Sequence, residues 1–153
     1  MQVWENHLIC SHQYIYPMAQ TKLNVLLIDD DHIFQFITCK ALEATGYTDK
    51  IRVCANGEEA YKFLQANLNN SSELPDVNLL DINMPIMNGW EFLQAYESLR
   101  SCLNKSIQVF LVTSSMNEAD RKYSLQFGVI HDYIVKPLMK EKLAEILDSV
   151  CVS

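Results

Sequence analysis

Four strand-like segments in this chain each stop at residues that handle charge. Val25–Ile28 ends at Asp29-Asp30-Asp31, Val77–Leu80 at Asp81, Ile107–Val112 at Thr113-Ser114-Ser115, and Val129–Val135 at Lys136-Pro137. If these ends meet, several carboxylates lie within a few ångströms of one another. Mutual repulsion would then raise at least one pKa and destabilise the fold. A divalent cation removes that penalty, and carboxylate oxygens without His or Cys select a hard ion, Mg²⁺ above all. Lys136 adds a fixed positive charge and Thr113 a hydroxyl donor. Such a set suits a phosphoryl group, whose transfer depends on positioning and charge neutralisation. An aspartate can itself be the nucleophile, giving an aspartyl-phosphate.

Singly, each residue has a plainer use. An Asp pair after a strand often caps a helix; a Thr ending a strand is a good β-former, and a Lys before Pro commonly sits in solvent. The chemical reading rests on all four polar ends occurring in one chain, each at the close of a strand-like segment.

Bringing the four ends together requires one edge of one sheet. From Leu23 onward, apolar strands alternate with amphipathic helices. Short continuous runs such as Val25–Ile28 and Val77–Leu80 suit strands covered on both faces, as in a parallel sheet. Phe34, Ile37, Ala41 and Leu42 fall at helical spacing, with Gly46 as C-cap. Ile51–Ala55 reads as the second strand, and Asn56-Gly57 turns into a helix with Ala60, Phe63, Leu64 and Leu68 on one face. A polar loop over Asn67–Pro75 precedes the third strand. After the loop Met84–Gly89, a helix carries Phe92, Leu93, Tyr96, Leu99 and Leu103. Ile107–Val112 predicts the fourth strand, and Asn117 caps a helix reaching Phe127. Val129–Val135 predicts the fifth, and Leu143, Ile146, Leu147 and Val150 form the buried stripe of the last helix.

This alternation predicts an α/β class fold: a doubly wound, five-stranded parallel sheet with helices on both faces. With right-handed crossovers the expected topology is flavodoxin-like, strand order 2-1-3-4-5. Ligands in such sheets bind beyond the carboxyl ends of the strands, where the order reverses. Here that point lies between strands one and three, whose ends carry Asp29–Asp31 and Asp81.

Length and composition agree with one domain. The chain has 153 residues and a net charge of −7, which argues against general nucleic-acid binding, since that needs a basic surface. Its five cysteines are an odd number without a CxxC pair, which predicts reduced thiols in a cytosolic protein. No apolar run approaches the length of a membrane span, and the N-terminus lacks a signal-peptide pattern; a cytoplasmic location is expected. Residues 1–21 show no periodicity and read as an extension outside a domain spanning 22–153, with Met18 resembling a natural start. His7, Cys10 and His12 lack a fourth ligand and read as part of an exposed tail.

The stretches VLLIDDD, LLDINMPIMNGWEF, VFLVTSS and DYIVKP closely resemble the signature segments of receiver domains of two-component response regulators, over about Leu23 to Val150. The resemblance implies that Asp81 is the phosphorylated residue. It implies Asp30 as a direct Mg²⁺ ligand, Asp29 acting mainly through water, and the Asn83 backbone carbonyl completing the protein ligation. Thr113, Lys136 and the Ser114 backbone N–H would hold the phosphoryl oxygens. Tyr133 matches the aromatic switch, whose ring turns inward as the Thr hydroxyl moves toward the phosphoryl group. The Lys136–Pro137 peptide is expected to be cis. Asp31, a third acid in the run, is expected to cap the first helix, and Asn83 and Ser115 fall at positions that tune phosphoryl lifetime.

The resemblance implies a histidine kinase or phosphotransfer protein as donor. The sequence runs only a few residues past the last helix, so no output domain is expected. The signal would leave through the fourth helix, fifth strand and fifth helix, toward an unknown downstream protein. No nucleic-acid or membrane partner is expected, and a homodimer through the same surface stays open. A rival reading is a haloacid-dehalogenase-like Mg²⁺-dependent phosphatase with Asp29 as nucleophile, since Asp29-x-Asp31 superficially fits its DxD motif. Ile33 stands where that family has Thr or Val, the later GDxxxD motif is missing, and Asp81 would have no task.

Overall fold

The computed structural model describes residues 21–153. The tail readings, including those on His7, Cys10 and His12, lie outside the described residues. Five strands, β1 (Leu23–Ile28), β2 (Thr48–Cys54), β3 (Val77–Leu80), β4 (Gln108–Thr113) and β5 (Ile130–Val135), alternate with five helices. These are α1 (His32–Thr45), α2 (Gly57–Ala66), α3 (Gly89–Leu99), α4 (Glu118–Ser124) and α5 (Lys140–Val152). All strand pairs are parallel, in the order β2-β1-β3-β4-β5. The flavodoxin-like topology expected from the alternation is the one observed.

Period-two alternation splits each central strand between two cores. Leu26, Ile28 and Leu80 point to one side, against Leu64, Phe92 and Leu93. Leu27, Leu79, Phe110 and Val112 point to the other, against Leu42, Leu143 and Leu147. Every residue of β3 is buried, which is why it reads as an unbroken run. Each such Leu or Phe contributes about 1.5–3 kcal/mol by leaving water. The exception on β3 is Asn78, fully buried with neither its side-chain carbonyl nor its amide nitrogen partnered among the described residues.

Helix starts are fixed by side-chain oxygens. Asp31 accepts from the N–H groups of Ile33 and Phe34 at 2.9 and 3.1 Å, the capping role expected of the third acid. Asn88 and Glu91 form a reciprocal capping box on α3, and Asn117 caps α4 as expected. Gly46 ends α1 at φ 76, in the left-handed region that favours glycine.

Several boundaries differ from the sequence expectation. β2 starts at Thr48 rather than Ile51 and stops at Cys54. It is an edge strand, so charged residues there still pair with β1 while facing solvent. β4 spans Gln108–Thr113 and β5 begins at Ile130, each one residue later than expected. α3 ends at Leu99 and passes into a 3₁₀ turn at Arg100–Cys102, yet Leu103 still packs on the core. α4 stops at Ser124 instead of Phe127, because Leu125, Gln126 and Phe127 close tighter turns onto the carbonyls of Lys122, Tyr123 and Ser124. Among the described residues, no helix is long and apolar enough to cross a membrane.

Candidate functional site

The ladder of the sheet itself sets the site. One residue beyond their strands, the N–H of Asp29 donates to the Cys54 carbonyl at 3.0 Å and that of Asp81 to the Ile28 carbonyl at 2.9 Å. Lys136 N–H donates to the Thr113 carbonyl at 2.8 Å. The three side chains therefore leave one sheet edge from its last rungs. Asp29, Asp30 and Asp81 each offer a carboxylate oxygen, all within 4.8 Å of one another. Asp29 and Asp81 are buried and Asp30 is exposed. The Lys136 Nζ donates to Asp29 Oδ2 at 2.7 Å and lies 3.8 Å from Asp81 Oδ1.

The loop after Asp81 is held close by two backbone features. Gly89 donates its N–H to the Ile82 carbonyl at 2.8 Å. A Cβ at that position would stand 2.4 Å from the Asp81 carbonyl oxygen, so only glycine allows the loop to close there. Met87 N–H donates to the Pro85 carbonyl at 2.7 Å, making a γ-turn centred on Ile86 at φ 69. A β-branched residue in that region is strained.

Electrostatically, the pocket has too many carboxylates for its one ammonium. Burial, and then the neighbouring Asp29 charge, push the Asp81 carboxyl from its ordinary 3.8 up to about 6, with Lys136 pulling the other way. Three converging carboxylate oxygens with excess negative charge fit a hard divalent cation such as Mg²⁺.

The other expected residues stand on β4 and β5 or in the loops that follow β3 and β4. Thr113 is fully buried at the end of β4, and its Oγ1 accepts from the Ser115 N–H at 3.1 Å. Ser114 and Asn83 are exposed, in the loops after β4 and β3. Tyr133, on β5, is half-buried; its hydroxyl donates to the Ser115 carbonyl at 3.0 Å. The Arg121 guanidinium lies 5.2 Å from the Tyr133 ring centroid. The Lys136–Pro137 peptide is cis.

Sequence reasoning missed some contributors. Gln35 donates its Nε2 to the Asp29 carbonyl at 2.6 Å, fixing the acidic run to α1. Ser115 Oγ donates to Asp120 Oδ2 at 2.6 Å, holding the loop after Thr113. The Phe34 ring lies 4.0 Å from the Lys136 Nζ. None carries a local signal, because each depends on a partner brought in by the fold or by the helical turn. Gly89 did leave one, a glycine directly after a capping Asn.

The family model for the response regulator receiver domain matches residues 25–148. Two-component response regulator 24 of Arabidopsis thaliana is 35% identical over 130 residues, covering 85% of this chain and 85% of that protein. The crystal structure of a two-component response regulator from Cytophaga hutchinsonii superposes with a TM-score of 0.76 at 28% identity, covering 86% of this chain and 99% of that one. The phosphorylated cyanobacterial phytochrome response regulator RcpA superposes with a TM-score of 0.68 at 26% identity, covering 85% and 91%. With its sheet order, its acidic cluster and this match over most of its length, the chain belongs to the response regulator receiver domain family of two-component signal transduction.

Proposed function

We propose that Asp81 accepts a phosphoryl group from the phosphohistidine of a histidine kinase or phosphotransfer protein. An Asp81 carboxylate oxygen attacks phosphorus; the O–P bond forms as the P–N bond breaks, and the donor imidazole leaves with its electron pair and takes up a proton. The Lys136 ammonium, the Thr113 hydroxyl and the Ser114 N–H hold the phosphoryl oxygens. Mg²⁺ held by Asp30, Asp81 and the Asn83 carbonyl, with Asp29 acting mainly through water, would supply the positive charge that offsets both carboxylates and phosphoryl. The observation that carries this reading is the convergence of three carboxylates within 4.8 Å, with Lys136 against Asp29 and 3.8 Å from Asp81.

The output follows from the same contacts. Thr113 and Tyr133 both meet the loop at Ser115, so a phosphoryl group that draws Thr113 inward also biases the ring. The surface of α4, β5 and α5 carries that bias to a downstream protein in the cytoplasm. The functional unit is residues 22–153, with 1–21 outside it. Ile33, Phe36 and Ile37 are exposed on α1 beside the pocket and offer the donor protein an apolar rest.

Acetyl phosphate with Mg²⁺, followed by mapping of the acid-labile phosphoryl group, tests this. Label on Asp81, lost in Asp81→Asn and without Mg²⁺, is expected. Label on Asp29 would instead favour the phosphatase reading.

A further inference from the structure

Lys136 is held on several sides. Its Nζ donates to Asp29 Oδ2 at 2.7 Å, stands 3.8 Å from Asp81 Oδ1, and sits 4.0 Å from the centroid of the Phe34 ring. The side chain is 16% exposed, so an ammonium that is strongly hydrated in water has exchanged most of that water for these neighbours. Two carboxylates attract the charge without fixing where the flexible stem places it. A ring face adds a second anchor: its quadrupole attracts a cation, most strongly where water is excluded.

The ring is itself well registered. Phe34 follows the acidic run by three residues, and its N–H donates to the Asp31 cap at 3.1 Å. Its side chain is half-buried against the core that α1 shares with α5. Phe34 therefore moves with the residues that carry the carboxylates.

We propose that Phe34 is a positioning residue for the phosphoryl chemistry: its ring face keeps the Lys136 ammonium in the pocket, between Asp29 and Asp81, ready for a phosphoryl oxygen. The proposal rests on the reading of Asp81 and Lys136 given above. An aliphatic side chain would fill the same space without offering a π face.

Beryllofluoride with Mg²⁺, titrated calorimetrically as a phosphoryl mimic, separates the two roles. Replacing Phe34 by mono-, di- and trifluorophenylalanine changes its size little and weakens its quadrupole stepwise. The apparent Kd is expected to rise along that series, reaching about 5-fold to 30-fold in Phe34→Leu, with Phe34→Tyr retaining tight binding. In a Lys136→Met background the series is expected to be flat. Urea unfolding without metal gives a second readout: Phe34→Leu and Lys136→Met together should destabilise less than the sum of the two. A flat fluorination series in the Lys136 protein, while Lys136→Met still weakens binding, overturns the role of Phe34 and leaves the reading of the pocket standing. Lys136→Met binding beryllofluoride as tightly as the parent overturns both.

Discussion

The Tyr133 hydroxyl donates to the backbone carbonyl of Ser115 at 3.0 Å, tying β5 to the loop that follows Thr113. Its half-buried ring packs against the core. On the proposal that Tyr133 is the switch and that phosphorylation strengthens this contact, the bond belongs to the phosphorylated state. Tyr133→Phe removes it at a cost of about 0.5–1.5 kcal/mol to that state. Beryllofluoride should then bind about 2-fold to 10-fold more weakly. Calorimetry showing unchanged affinity would separate the hydroxyl from the switch.

Asp81 makes the empty-handed protein less stable at neutral pH. Its carboxyl titrates near 6 in the fold, above its ordinary 3.8. Between those values the native state keeps a proton that the unfolded chain has released, so stability falls as pH rises through that window. Asp81→Asn should therefore exceed the parent by about 1–3 kcal/mol at pH 7–8 without divalent metal, with the gap closing toward pH 4. Millimolar Mg²⁺ should stabilise the parent more than the variant. Urea unfolding across pH checks both, and a variant no more stable at pH 8 refutes the charge argument.

Much of this was legible in the sequence because apolar runs that stop abruptly at charge mark both a parallel strand and its functional end. Val25–Ile28 before Asp29 and Val77–Leu80 before Asp81 are of this kind. The start of β2 was missed because Thr48-Asp49-Lys50 has no apolar signal; its pairing comes from β1 alone. The early end of α4 was missed because Leu125 and Phe127 continue a helical spacing that the backbone abandons. Phe34 showed only as a core residue of a helix. Its place over Lys136 joins the first helix to the fifth strand's end, a contact that only the closed sheet creates.

Asn78 is a weak point in the core. Both polar groups of its side chain are buried without a partner among the described residues, which costs about 1–3 kcal/mol for each unsatisfied group. Asn78→Val keeps a strand-forming shape and removes that cost. A rise of about 1–2 kcal/mol in unfolding free energy is expected. A loss of stability in urea titration would mean that the amide is satisfied in solution.

The exposed Ile33 and Phe36 make a prediction that separates donors. A small donor needs only the pocket, whereas a protein donor must also rest on its surroundings. Ile33→Asp with Phe36→Asp should slow phosphotransfer from a partner kinase at least about 10-fold, since each truncated apolar anchor costs about 1 kcal/mol or more. Phosphorylation by acetyl phosphate should change little. Equal slowing of both reactions would show damage to the pocket instead.

The two outer strands carry a further consequence. β2 presents Asp49, Lys50 and Arg52 to solvent, and β5 presents His131 and Asp132. Charges along both borders oppose the addition of a sixth strand from another molecule. Neither border therefore invites lengthening of the sheet, so the rungs that space the carboxylates are shielded from that route of association.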